Sequence, residues 1–111
     1  MPFKIEAATP EFLIEAKKLS KKYSSLKNDI TELAAQLAIN PAQGAPLGKN
    51  AYKIRLAITS KGKGKSGGAR IITCVKVVST TVYLVSIYDK SVQSDISDKE
   101  LKEQIRNLPD L

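Results

Sequence analysis

The chain has 111 residues, 42% of them hydrophobic and 26% charged, which is the composition of one folded domain rather than two. It carries 18 Lys and Arg against 11 Asp and Glu, a net charge of +7, with no histidine and one cysteine. Those counts exclude a Ser-His-Asp triad, a Cys-His dyad, a histidine-based metal site and an intrachain disulfide. Cys74 sits in an apolar stretch and reads as a small buried residue in a reducing compartment. No run reaches the roughly 20 apolar residues of a membrane span, and no apolar signal-peptide core follows a basic start. A cytoplasmic location is expected, with no cofactor and no membrane partner.

The elements follow in chain order. Phe3, Ile5 and Ala7 alternate and predict a short strand. Thr9-Pro10-Glu11 is a helix start: Thr9 caps, Pro10 fits the first turn, and Glu11 meets the positive dipole end. That helix runs to about Lys22 with an apolar stripe of Phe12, Leu13, Ala16 and Leu19. Ser24 or Ser25 is the expected cap of a second helix, whose Leu26, Ile30, Leu33, Ala34 and Leu37 share one face. Asn40-Pro41 stops it. Residues 41–50 read as a loop. Three strands follow, Ala51 to Thr59, Ala69 to Val78 and Val82 to Asp89, with a Lys/Gly loop over residues 60–68. Ser97-Asp98-Lys99-Glu100 fits a capping box and starts a short helix with Leu101 and Ile105 inward. The order β-α-α-β-β-β-α predicts an α+β domain, a helix hairpin packed on a small, mainly antiparallel sheet. The sheet face opposite the hairpin is expected to stay open.

Charge is segregated. No acid lies between Leu33 and Tyr88, while that stretch holds Lys49, Lys53, Arg55, Lys61, Lys63, Lys65, Arg70 and Lys76. Such a field attracts polyanions, nucleic acid first and an acidic protein second, or else it only keeps a surface solvated. The run Lys61-Gly62-Lys63-Gly64-Lys65-Ser66 is not a Walker loop, because Thr59 stands where the first glycine belongs. It reads either as a mobile cationic arm, with Lys61, Lys63 and Lys65 following an RNA backbone, or as a plain hairpin tip.

Lys53, Arg55 and Arg70 lie on adjacent predicted strands. Arginine offers a phosphate a fixed fork and lysine a movable donor. RNA carries its own nucleophile, the ribose 2′-OH. Cleavage then needs orientation, proton transfer and stabilisation of the charged phosphorane, none of which demands histidine or metal. A lysine among other cations can serve as base. The alternatives are phosphate binding without chemistry, or ion pairs with the acids at 89–103. Lys90 is a candidate proton donor. Tyr88 is either a stacking or donor group or a core residue.

These residues resemble the RelE/ParE toxin superfamily of type II toxin–antitoxin systems, and most of all a HigB-like branch with mRNA-cleaving members. The likeness runs from about Phe12 to Glu103. It is carried by Ala16-Lys17-Lys18-Leu19, Gly44-Ala45-Pro46-Leu47-Gly48 and Tyr52-Lys53-Ile54-Arg55-Leu56, then by the Lys63 to Ile72 run and Ile87-Tyr88-Asp89-Lys90-Ser91. The resemblance implies a microbial-ribonuclease-like fold and a ribosome-dependent mRNA interferase. It also implies an antitoxin partner, often with a helix-turn-helix domain. By position it implies that Lys53 and Arg55 match the basic pair of the first central strand, that Arg70 opens the second, and that Lys90 falls near a C-terminal basic position. RelE proper has a catalytic tyrosine near its C-terminal helix; here that neighbourhood reads Asp95-Ile96-Ser97 and no tyrosine follows Tyr88. This departure leaves two rivals in view, a non-enzymatic ParE-like inhibitor of DNA gyrase and an RNA-binding module that does not cut.

Overall fold

A computed structural model describes residues 2–7, 9–62, 67–92 and 96–106. The chain runs β1 (Lys4–Ala7), α1 (Pro10–Lys22), α2 (Leu26–Ile39), β2 (Ala45–Gly48), β3 (Ala51–Leu56), a 3₁₀ turn (Thr59–Lys61), β4 (Ala69–Lys76), β5 (Thr81–Asp89) and α3 (Asp98–Arg106). The strands form one mixed sheet in the order β1-β5-β4-β3-β2. β1 pairs parallel with β5, and the other neighbours are antiparallel.

Thr9 caps α1 as its sequence predicts: the Phe12 amide donates to Thr9 Oγ1 at 3.1 Å. The same hydroxyl donates to the Val85 carbonyl at 2.8 Å, tying the helix start to the middle of β5. Ser25 occupies the cap position of α2 but does not cap it. Its hydroxyl is turned to Asp29 Oδ2 instead, at 2.8 Å. Ser97 does cap α3, accepting from the Glu100 amide at 3.2 Å.

β2 is a strand where the sequence reads as loop. It is joined to β3 by a two-residue turn in which Lys49 (φ 53°) and Asn50 (φ 62°) are both left-handed. That mirror-image turn matches the twist of a tight hairpin. Asn accepts the conformation readily, whereas Lys does not advertise it.

Phe12, Leu19, Leu26, Leu33 and Leu37 of the hairpin pack on Ile54, Leu56, Ile71, Val75, Val82, Leu84 and Ile87 of the sheet. The opposite face is not open. Ile72, Cys74, Tyr83 and Val85 form a second cluster there, against which Ile96, Leu101 and Ile105 pack. The reason is local. A bulge at Ile72/Thr73 interrupts the β4–β5 register, so Val85 and Ile87, two residues apart, face opposite sides. Ile72 and Cys74 on β4 and Tyr83 and Val85 on β5 reach the second face by ordinary alternation and make it apolar at the end α3 covers, and beyond the bulge the shifted parity brings Tyr88 to that face opposite Arg70.

Candidate functional site

The polar end of that face carries the predicted cations. Lys53 and Arg55 stand two residues apart on β3 and so point the same way. Arg55 pairs across the sheet with Arg70, and Arg70 pairs with Tyr88, so the three form one row over β3, β4 and β5. Like charges directly opposite on neighbouring strands repel. Two residues beyond Arg70 and Tyr88 along the same two strands, the Gly68 carbonyl accepts from the Lys90 amide at 3.0 Å. A Cβ on Gly68 would lie 2.0 Å from the Leu56 carbonyl oxygen, so only glycine lets the strands close here.

β2 covers β3 only as far as Lys53. Past that point the outer edge of β3 has no strand partner among the described residues, and a cleft of ≈ 760 Å³ opens across it. Lys53, Arg55, Arg70 and Lys90 line the cleft together with Asp29, Glu32 and Gln36 of α2. Four of the five expected catalytic positions therefore share one cavity. The fifth, Tyr88, is 5% exposed; its ring lies within the sheet beside Arg70 and presents no open stacking surface. Arg70 is itself buried, with Nη1 donating to the Ala69 carbonyl at 3.1 Å. Burial fixes its direction, while Arg55 stays exposed.

Two buried carboxylates hold the elements around the cleft: Asp29, which lines it and is not singled out by the sequence, and Asp89, one of the acids at 89–103 expected to pair with cations, whose partner proves to be Lys61. Asp29 accepts from the Thr59 amide at 3.0 Å, the Thr59 hydroxyl at 2.6 Å and the Ser25 hydroxyl at 2.8 Å. Burial alone would raise its carboxyl, but these hydrogen bonds outweigh it and hold the group below the ordinary value. The contact fastens the start of α2 to the chain leaving β3. Asp89 accepts from the Tyr23 hydroxyl at 2.6 Å, the Ser91 hydroxyl at 2.7 Å and Lys61 Nζ at 3.1 Å. Burial again opposes its ionisation, yet the donors prevail and the carboxyl falls far below the usual range.

The Asp89 contact corrects one expectation. Lys61 is not part of a mobile arm. Its side chain is 9% exposed and ion-paired to Asp89, it donates to Ser91 Oγ at 3.1 Å, and its ammonium stands 5.0 Å from the Tyr23 ring centroid. Lys63 and Lys65 lie outside the described residues. A faint signal for Asp29 and the other polar α2 residues at the cleft exists: Asp29, Glu32 and Gln36 recur at helical spacing beside the apolar stripe of α2. Nothing in that spacing says which side chains meet β3.

Among the described residues no group of His, Cys, Asp or Glu is arranged to hold a metal ion, and no helix is long and apolar enough to cross a membrane.

Comparison with solved structures gives the free-state structure of an arginine-to-alanine double mutant of the E. coli toxin RelE. It aligns at a TM-score of 0.65 and 15% identity, covering 98% of this chain and 100% of that one. At that identity the likeness concerns the fold: two N-terminal helices, a mixed five-stranded sheet and a short C-terminal helix. A family model described as the RelE toxin of the RelE/RelB toxin–antitoxin system matches residues 11–109. With nearly the whole sheet-and-helix framework inside that match, the chain belongs to the RelE toxin family of toxin–antitoxin systems.

Proposed function

We propose that this toxin is a metal-independent endoribonuclease that cuts mRNA on the ribosome. The observation that carries the reading is the convergence of Lys53, Arg55, Arg70 and Lys90 on one cleft. Opposed arginines on adjacent strands repel, and a phosphate between them turns that repulsion into attraction. The substrate's 2′-OH attacks the adjacent phosphate. Lys53, in its uncharged amine form, takes its proton, and Arg55 holds the phosphate in line. Arg70, fixed by burial, stabilises the extra negative charge of the phosphorane. Lys90 protonates the departing 5′ oxygen, and Tyr88 acts from beneath as a positioning residue for Arg70. The products carry a 2′,3′-cyclic phosphate or a 3′-phosphate. Ribosomal and messenger RNA are the polyanionic partners, with Lys63 and Lys65 extending the grip along the backbone. An antitoxin, expected to carry a helix-turn-helix domain, is the protein partner, and the reaction takes place in the cytoplasm.

The test is expression from a tightly controlled promoter followed by mapping of mRNA 5′ ends. Cuts in phase with codons support the reading. Intact messages in arrested cells, with supercoiling blocked in a gyrase assay, replace it with the inhibitor reading. Arg70→Ala is expected to lower the cleavage rate by about 10²-fold or more, the usual cost of removing a donor aimed at developing negative charge. An unchanged rate in a folded variant removes Arg70 from the chemistry.

A further inference from the structure

The cleft gathers cations of the sheet, and Lys61 is spent on Asp89. A second group of lysines has no part in either. Residues 16–28 hold Lys17, Lys18, Lys21, Lys22 and Lys27 and no acid. In α1 the buried side is set by Phe12 and Leu19. Helical periodicity then points Lys17 and Lys21 away from the sheet and sets Lys18 and Lys22 beside them, and all four are exposed. Only Lys21 and Lys22 fall in the last turn, where the helix dipole favours cations. Lys17 and Lys18 stand a turn earlier and gain little from it. Lys18 meets Glu15 at 3.7 Å, an exposed contact of the kind that contributes little. Among the described residues the Lys17 and Lys21 side chains make no ion pair or hydrogen bond.

Lys17 with Lys21 and Lys18 with Lys22 are pairs one turn apart, roughly 5–6 Å between Cβ atoms. Like charges at that spacing repel and weaken a helix, and a polyanion laid along them relieves the repulsion. The chemistry of the face selects the polyanion. The centre of a protein interface is depleted of lysine and rich in aromatic and arginine anchors, and this face has neither. Tyr23, at the end of the helix, is already covered by the ammonium groups of Lys22 at 5.3 Å and Lys61 at 5.0 Å from its ring centroid. A single strand held by stacking finds no platform here. What suits four ammonium groups on flexible stems is the outside of a double-helical RNA, which presents phosphates and 2′-OH groups and is gripped without regard to sequence.

We propose that the solvent face of the last two turns of α1 is a second RNA surface, which holds the backbone of a double-helical segment while the cleft takes a single strand. The Tyr23 hydroxyl donates to Asp89 at 2.6 Å, and Asp89 precedes Lys90 of the cleft, so the two surfaces adjoin at that contact. The inference rests on the ribosome reading only for the source of the duplex, which would be ribosomal RNA. The four lysines touch no reacting atom; they set affinity and not the chemical step.

The full chain is titrated with an RNA duplex of about 16 base pairs, the span of a double-stranded-RNA module, and separately with a single strand of the same length. The combined variant Lys17→Gln, Lys18→Gln, Lys21→Gln and Lys22→Gln keeps good helix formers at exposed positions, and its amide spectrum verifies the fold. Its affinity for the duplex is expected to fall by at least about tenfold, and the slope of log affinity against log salt by about 2 to 4, at roughly 0.9 for each contact to a double helix. Its affinity for the single strand should hold. Arg55→Ala should give the reverse pattern. Unchanged duplex binding in the combined variant overturns the surface, and so does an equal fall for both RNAs, which is a plain net-charge effect. Polyglutamate of equal charge binding the unmodified protein as tightly as the duplex, with the same loss in the variant, overturns the RNA assignment in favour of an acidic protein. Loss of duplex binding in the variant, together with no mRNA cleavage by the unmodified protein, upholds the surface and overturns the nuclease reading; cleavage together with unchanged duplex binding does the opposite.

Discussion

Asp89 is where most of the local electrostatics of this fold meets. It is 4% exposed and is surrounded by Tyr23, Ser91 and Lys61. Removing its charge strands the Lys61 ammonium in a nearly closed site. Asp89→Asn is therefore expected to cost about 3 kcal/mol, the scale for breaking a buried ion pair from one side, and urea unfolding at neutral pH measures it. The pH dependence has a definite sign. Asp29 and Asp89 both ionise more readily folded than unfolded, where a carboxyl titrates near 3.8. Their contribution is complete above that value and is lost as pH falls through it toward the depressed folded values. The raised Lys61 group works on the alkaline side: its stabilisation is complete below the ordinary value of 10.5 and is lost as pH rises through the folded one. The urea midpoint should fall on acidification from pH 5 to pH 2, and less steeply in Asp89→Asn. Nothing in the run Tyr88-Asp89-Lys90 announces this role. A lone acid among cations in sequence reads as a surface pair, and only the fold carries Tyr23 and Lys61 to it.

At the scale of elements, α3 is the piece whose placement reorders the molecule. Its Leu101 and Ile105 were legible as an inward face, but the hairpin-covered side of the sheet is already filled, so they go to the other. There they shield Cys74, which is 1% exposed. Burial raises its thiol, with Lys76 partly offsetting the effect. A buried, protonated thiol reacts slowly with disulfide reagents. Leu101→Ala should loosen α3 and speed labelling of Cys74 by at least about tenfold, the factor for a loss of ~1.4 kcal/mol in packing. Equal labelling rates in the two proteins would show that α3 does not guard this face. β2 teaches the complementary lesson. Its four residues, Ala45–Gly48, have exposed side chains, so no alternation marks them. They pair because the turn at Lys49 and Asn50 folds them back on β3.

Across the whole molecule the charge asymmetry of the sequence becomes a spatial one. The basic residues between Leu33 and Tyr88 are carried on β3, β4 and their flanks, and four cations of the sheet and its end gather at the cleft. RNA binding through these groups releases counterions. The logarithm of affinity for a short single-stranded RNA should fall linearly with the logarithm of salt concentration. Arg55→Ala should reduce that slope by about 0.7, the increment for one phosphate contact to a single strand. Filter binding between 50 and 300 mM salt measures it. Lys61→Ala should leave the slope unchanged, since its charge is already spent on Asp89.

The order of elements, the core stripes of both helices, the cap at Thr9, the family and the three strand-borne cations are all legible in the sequence. Each depends on local periodicity, on composition or on motif, which are properties of short stretches of chain. The bulge that divides the second face, the left-handed turn that makes β2, the burial of Lys61 against Asp89 and the meeting of α2 with the strand-borne cations at one cleft were decided by tertiary structure. They depend on strand register and on which helix face meets which strand. Apart from the turn, which is local, those are settled only when segments well separated in the chain, 28 residues for Lys61 and Asp89, compete for the same space.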